Sequence, residues 1–132
     1  MRIILDTNVI VSALLSPSGV PAKILNLILN RNITIVYDNN ILFEYVDVLN
    51  RTKLKINKEL IKPVLDFINK EGELGIAVPQ KIKFDDSDDK KFYELYKNEK
   101  IDYLITGNIK HFPKENGIIT PRNFIENIIE KL

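Results

Sequence analysis

Two hydrophobic periods alternate along this chain, and that alternation narrows the fold more than any other feature. Short runs with strand character recur at Arg2–Leu5, Ile33–Tyr37, Leu74–Val78 and Asp102–Thr106, with Gly117–Thr120 as a candidate fifth at an edge. Between them lie segments whose apolar residues repeat at helical spacing. Thr7–Leu15 stops at Ser16-Pro17-Ser18-Gly19, and Val20–Arg31 carries Pro21 near its first turn, where a missing N–H costs little, with Ile24, Leu25 and Ile28 in register. Asp38 or Asn39 caps a helix running to about Arg51, with the stripe Ile41, Leu42, Tyr45, Val46 and Leu49. Asn57 caps another over Lys58–Glu71, with Leu60, Ile61, Val64, Leu65 and Ile68 on one face and Pro63 as a candidate kink. A further helix reaches about Glu99, and Thr120-Pro121 opens a last one that turns Phe124, Ile125, Ile128, Ile129 and Leu132 inward. Strands alternating with such helices pair in parallel through right-handed crossovers. The expected fold is therefore α/β, a three-layer α/β/α sandwich with a central parallel sheet of four to five strands. At 132 residues, one domain with one core, 1–132, is expected.

Composition removes whole classes of chemistry. With no cysteine there is no disulfide, zinc–thiolate site, iron–sulfur cluster or thiol nucleophile, and the single histidine, His111, excludes any metal site needing two imidazoles. Nineteen Lys and Arg against eighteen Asp and Glu give a net charge of +1, so there is no bulk positive field to collect nucleic acid. No apolar run approaches the roughly 18–20 residues that span a bilayer, and Met1–Leu5 is too short before its first acid to be a signal peptide. No membrane partner and a cytoplasmic location are the expectation.

What remains is carboxylate chemistry at the carboxyl edge of the sheet, where open α/β sheets bind their ligands. Asp6 immediately follows the first strand, and Thr106, Gly107 and Asn108 follow the fourth, so the two places should be neighbours. An aspartate there can also serve only as a helix cap. Four acids crowd Asp85-Asp86-Ser87-Asp88-Asp89. One or two would satisfy a helix dipole, and the rest repel one another unless a cation intervenes. Asp89 shares helical spacing with Phe92, Tyr93 and Tyr96, which places it on the inward stripe, while Asp88 shares a face with Phe92 and Leu95 and is its competitor. Glu44 flanks the stripe of its own helix. Asp6, Glu44 and Asp89, with Thr7, Asn8, Ser12, Thr106 and Asn108 nearby, form an oxygen-rich set suited to a hard cation, Mg2+ or Mn2+. Such an ion attracts a phosphodiester that the bare acids would repel.

Four segments carry a resemblance: Ile4-Leu5-Asp6-Thr7-Asn8-Val9, Leu42-Phe43-Glu44, Asp86-Ser87-Asp88-Asp89-Lys90-Lys91-Phe92 and Tyr103-Leu104-Ile105-Thr106-Gly107-Asn108. In order and spacing the chain resembles the PIN-domain ribonucleases, and within them the VapC-like toxins of bacterial and archaeal toxin–antitoxin pairs. The resemblance implies a PIN-like fold and a Mg2+- or Mn2+-dependent endoribonuclease. It assigns Asp6, Glu44 and Asp89 to the three acidic ligand positions and Thr106 to the supporting hydroxyl. It matches Asp86 to an acidic position ahead of the third ligand, and Asn8 and Ser12 to polar positions that hold the first aspartate. Many relatives carry a fourth aspartate where this chain has Asn108, which keeps a carbonyl ligand but loses a charge, so a second metal position is expected to be less occupied. An RNA substrate, a small antitoxin protein and a homodimer formed through helices near Ile24–Leu29 or Leu60–Ile68 are the implied partners.

Alternatives fit less well. A haloacid dehalogenase-type phosphatase needs an aspartate where Asn8 stands, and a receiver domain needs an acidic pair at strand one and an aspartate ending strand three, where Val78-Pro79 stands. The rival of a different class is a PIN-like binding or scaffold module with a weak or inactive site, for which Asn108 is the support. Lys110, His111, Lys114 and Arg122, with Lys53, Lys55 and Lys58 across the groove, are candidate phosphate contacts, although basic side chains populate every soluble surface.

Overall fold

The computed structural model describes residues 1–84 and 86–132. Its elements are β1 (Arg2–Leu5), α1 (Thr7–Leu15), α2 (Val20–Leu29), β2 (Thr34–Tyr37), α3 (Asn39–Leu49), α4 (Lys58–Glu71), β3 (Glu73–Leu74), α5 (Ser87–Asn98), β4 (Tyr103–Ile105), β5 (Ile118–Ile119) and α6 (Pro121–Asn123). Two short 3-10 turns, Thr52–Leu54 and Ile109–His111, fall between them, and α6 runs on into a wider π-type turn, Phe124–Ile129. Four helices, α3 to α6, start where side chains satisfy free amides. Asp38 accepts from the Ile41 N–H at 2.8 Å, Asn57 from Glu59 at 3.0 Å, Asp86 from Asp88 at 2.9 Å and Thr120 from Asn123 at 3.2 Å.

All five strands pair in parallel, in the order β3-β2-β1-β4-β5. β1 is central, and Ile3, Ile4 and Leu5 are wholly buried. Helix α2 packs on α1 and α6 and shares hollows with α4, while α3 packs on α1, α4 and α5, and these helices cover the five-stranded sheet in a three-layer α/β/α sandwich. The chain winds outward from β1 to β3 and then returns to β1's other side as β4. This places the reversal of strand order between β1 and β4, with Asp6 and Thr106 at its carboxyl edge.

Four local expectations need correction. Strand three ends at Leu74 instead of Val78, because after Gly75 donates to the Tyr37 carbonyl at 2.7 Å the chain peels onto α5. There Ile76 is satisfied by Glu99 and Asn98 side chains, not by a neighbouring strand. Val46 and Leu60, at the margins of their stripes, are exposed, while Ile41, Tyr45 and Leu49 and then Ile61, Val64 and Ile68 carry the packing. Leu132 is 90% exposed: the π-type turn rotates the last residues out of the phase set by Phe124 and Ile125. Pro63 lies inside helix α4. Among the described residues no single helix is long and apolar enough to cross a membrane.

Candidate active site

Asp6 continues the β1–β4 pairing by donating its backbone N–H to the Ile105 carbonyl at 2.9 Å, which brings it beside Thr106. The Thr106 hydroxyl donates to Asp6 Oδ2 at 2.7 Å, and that same hydroxyl accepts the Asn108 N–H at 3.0 Å. Asp6 occupies the N-cap position of α1, where its carboxylate turns to Thr106 and the Asn8 backbone N–H also draws its pKa down. Asp6 and Thr106 are both buried. Burial pushes the Asp6 carboxyl above the usual carboxylate range; the Thr106 bond pulls it back, and repulsion from Asp89 and Glu44 pushes it up again.

Helix α3 delivers Glu44. Tyr45, fully buried, donates its hydroxyl to the Leu5 carbonyl and so pins α3 to the tip of β1. Burial holds that phenol well above its ordinary value, so it remains a donor. One turn of geometry then sets Glu44, half-buried, against the Thr7 hydroxyl through Oε2 and against Lys91 through Oε1, whose Nζ lies at 2.6 Å. Lys91 comes from α5, so this contact joins the two helices.

Helix α5 turns Asp89 inward, where it is buried, and leaves Asp88 exposed. Asp86 caps α5 through the Asp88 N–H. Burial raises the Asp89 carboxyl; His111, with Nδ1 at 3.2 Å from Oδ2, draws it down, and Asp86 and Glu44 push it up. Asp6, Glu44 and Asp89 therefore lie within electrostatic reach of one another, although they are separated by 38 and 45 positions in sequence (44 − 6; 89 − 44).

Other sequence candidates sit further out. Asn8 and Ser12 carry exposed side chains on α1, although the Asn8 backbone N–H lowers the Asp6 carboxyl, and the hydroxyls that touch the acids belong to Thr106 and Thr7. Asn108 is half-buried and joins the cluster through its backbone. Lys110 and Lys114 border an apolar groove with Ile109, Phe112 and Pro113 beside the turn that carries His111. Lys55 and Lys58 instead line a hollow with Leu49, Ile56 and Ile61 past the end of α3, and Arg122 pairs with Glu126 on the last helix. Asp85 lies outside the described residues. Sequence reading passed over Lys91 and undervalued His111, because neither belongs to a pattern; each contact joins separate elements, and only the fold creates it.

A family model for the PIN domain matches residues 2–110, a span that contains every group just described from Asp6 to Asn108. The chain belongs to the PIN domain family. PIN domains are a nuclease family that generally works with divalent metal ions. An uncharacterized protein of Methanocaldococcus jannaschii is 30% identical over 142 residues, covering 96% of this chain and 90% of that protein. No solved structure matches the chain.

The donor set of this PIN domain fits a hard divalent cation in its chemistry: carboxylate oxygens, two of them on buried aspartates whose charges repel. Among the described residues, however, no three acidic or imidazole groups already converge on one point. Each carboxylate is turned to a protein partner instead: Asp6 to Thr106, Glu44 to Lys91 and Thr7, and Asp89 to His111.

Proposed function

We propose that this PIN domain is an endoribonuclease that hydrolyses RNA phosphodiester bonds with Mg2+ or Mn2+, and that it is the VapC-like toxin of a type II toxin–antitoxin pair. The observation that carries the reading is the pair of buried aspartates, Asp6 and Asp89, kept in mutual repulsion with Glu44 where strand order reverses. Asp6, Glu44 and Asp89 would hold the ion, and the Asn108 carbonyl is the fourth candidate. A bound divalent ion supplies a water of lowered pKa and neutralises charge on the leaving oxygen. The chain's own residues do the positioning. Thr106 engages one oxygen of Asp6 and fixes the plane of that carboxylate, while Tyr45 holds α3 so that Glu44 meets it. His111 steadies Asp89, and Lys110 and Lys114 offer charge to the RNA backbone on the same side.

The partner readings follow. A small antitoxin covering the acidic site would silence it. A homodimer through α2 and α4 is supported by Leu60, 40% exposed at the edge of an apolar hollow lined by Pro17, Leu25, Leu29 and Val64. Asn108, in place of a further acid, favours a second reading, a PIN-like module that binds without cutting.

One assay separates these readings. The nuclease reading expects purified protein to cleave single-stranded RNA with Mn2+ or Mg2+, to lose that activity in EDTA, and to lose it in Asp6→Asn. Full activity in Asp6→Asn overturns the assigned site. Absence of cleavage with any divalent ion, with RNA binding retained, supports the scaffold.

A further inference from the structure

Lys91 is an unusual lysine for a protein surface. Its side chain is only 19% exposed, whereas lysines ordinarily extend into water. Its ammonium is gathered inward by three groups: Glu44 Oε1 at 2.6 Å, the Asp88 carbonyl at 2.7 Å, and the Phe92 ring, whose centroid lies 5.3 Å away. No part of the nuclease reading employs it. Yet it supplies a positive charge to the acid that couples electrostatically to both buried aspartates.

We propose that Lys91 is a built-in counter-ion that competes with the divalent cation for Glu44, so that ion binding is an exchange in which the Lys91–Glu44 pair is given up. The inference rests on the metal reading of this site. A dication and an ammonium sharing one carboxylate oxygen repel strongly in a partly water-excluded pocket. Glu44 does not depend on Lys91 for its placement, because Thr7 holds the other oxygen and Tyr45, the next residue, anchors the helix. Lys91 thus stabilises the acidic cluster on its own and opposes the ion that replaces it.

The test uses the intact chain, stripped with EDTA, and reads Mn2+ binding by calorimetry and thermal unfolding with and without saturating Mn2+. Lys91→Met is expected to melt several degrees below wild type in EDTA, to approach wild type at saturating Mn2+, and to bind Mn2+ about tenfold more tightly. Lys91→Arg preserves the charge and grips a carboxylate with two N–H groups, so it is expected to weaken Mn2+ binding several-fold, a readout available even if Lys91→Met fails to fold. Unchanged or weaker Mn2+ binding in Lys91→Met overturns the exchange, as does a melting deficit that persists undiminished at saturating Mn2+. In the arginine variant, unchanged or tighter binding counts against it in the same way. A wild type whose melting ignores Mn2+, like that of Asp6→Asn, instead overturns the metal reading, and the exchange with it.

Discussion

The two ends of the central strand make opposite uses of the same residue types. At the start of β1 the Arg2 guanidinium binds Glu73 and Glu99 and donates to the Glu99 carbonyl at 2.6 Å, while its backbone N–H bonds Asp102 at 2.7 Å. At its far end stand Asp6, Glu44 and Asp89. Each end gathers three acids, so acid count does not distinguish them. Solvent and cation geometry do. Asp102 is exposed and Glu73 and Glu99 are half-exposed around an arginine whose fork meets two of them, whereas Asp6 and Asp89 are 4% and 9% exposed and, among the described residues, meet a hydroxyl, a backbone N–H and an imidazole but no Lys or Arg. Buried, under-neutralised carboxylates cost stability, and a fold retains them where a ligand repays the cost.

The sharpest way to break this contrast is Asp6→Asn. If the carboxyl end is the ion site, RNA cleavage in Mn2+ falls by at least about 10²-fold, since even groups behind metal ligands matter at the 10–100-fold level. Stability moves the other way. The folded carboxyl titrates above its unfolded value, so its favourable contribution exists at low pH and is lost as pH rises through the raised value. In EDTA, Asp6→Asn is therefore expected to be relatively most stable near pH 7, with its advantage over wild type closing as pH falls toward about 4. Parallel curves for the two proteins across that range would show that Asp6 is ordinarily solvated.

The matching change at the other end is Arg2→Ala, expected to cost about 1–2 kcal/mol by denaturant unfolding. The Mn2+ response and cleavage per folded molecule should stay as in wild type. Loss of ion binding in this variant would mean that the two ends are not functionally separate.

How much of this could be read from the sequence follows the same division. Periodicity located α2, α3 and α4, and the caps Asp38 or Asn39, Asn57 and Thr120 marked helix starts, because those signals are local. Asp6 stood out as the residue after a buried strand, and inward spacing favoured Asp89 over Asp88, as burial bears out. Strand three is shorter than its sequence pattern because its end depends on side chains of α5 and its cap about 22 residues away, which no local window sees. Lys91, Thr7 and His111 escaped a firm role for the same reason: a pattern tells which face a residue occupies, not which charge the fold brings opposite it.

A smaller effect is expected at the joint between strand and site. Tyr45→Phe removes the hydroxyl that the Leu5 carbonyl accepts and leaves that buried acceptor unpaired, a loss of about 1–2 kcal/mol. Because Glu44 rides on the same turn, Mn2+ affinity should weaken too, whereas Leu49→Ala, which loosens α3 further along, should cost stability with less effect on the ion. Equal losses of affinity in both would reduce Tyr45 to ordinary core packing.

The finest adjustment is Asn108→Asp. Asn108 adjoins the Thr106 hydroxyl through its N–H, so an added carboxylate enters a neighbourhood already short of positive charge. In EDTA the variant should unfold slightly more easily at neutral pH than at pH 4, since the new charge adds to the repulsion around Asp6. With Mn2+ present the order should invert, and affinity should rise by a few-fold as a hard anionic donor replaces a neutral one. Higher cleavage in this variant would identify Asn108 as the residue that restrains the wild-type site. Improved ion binding without improved cleavage would place the limit elsewhere, in how the RNA strand is presented to Asp6 and Asp89.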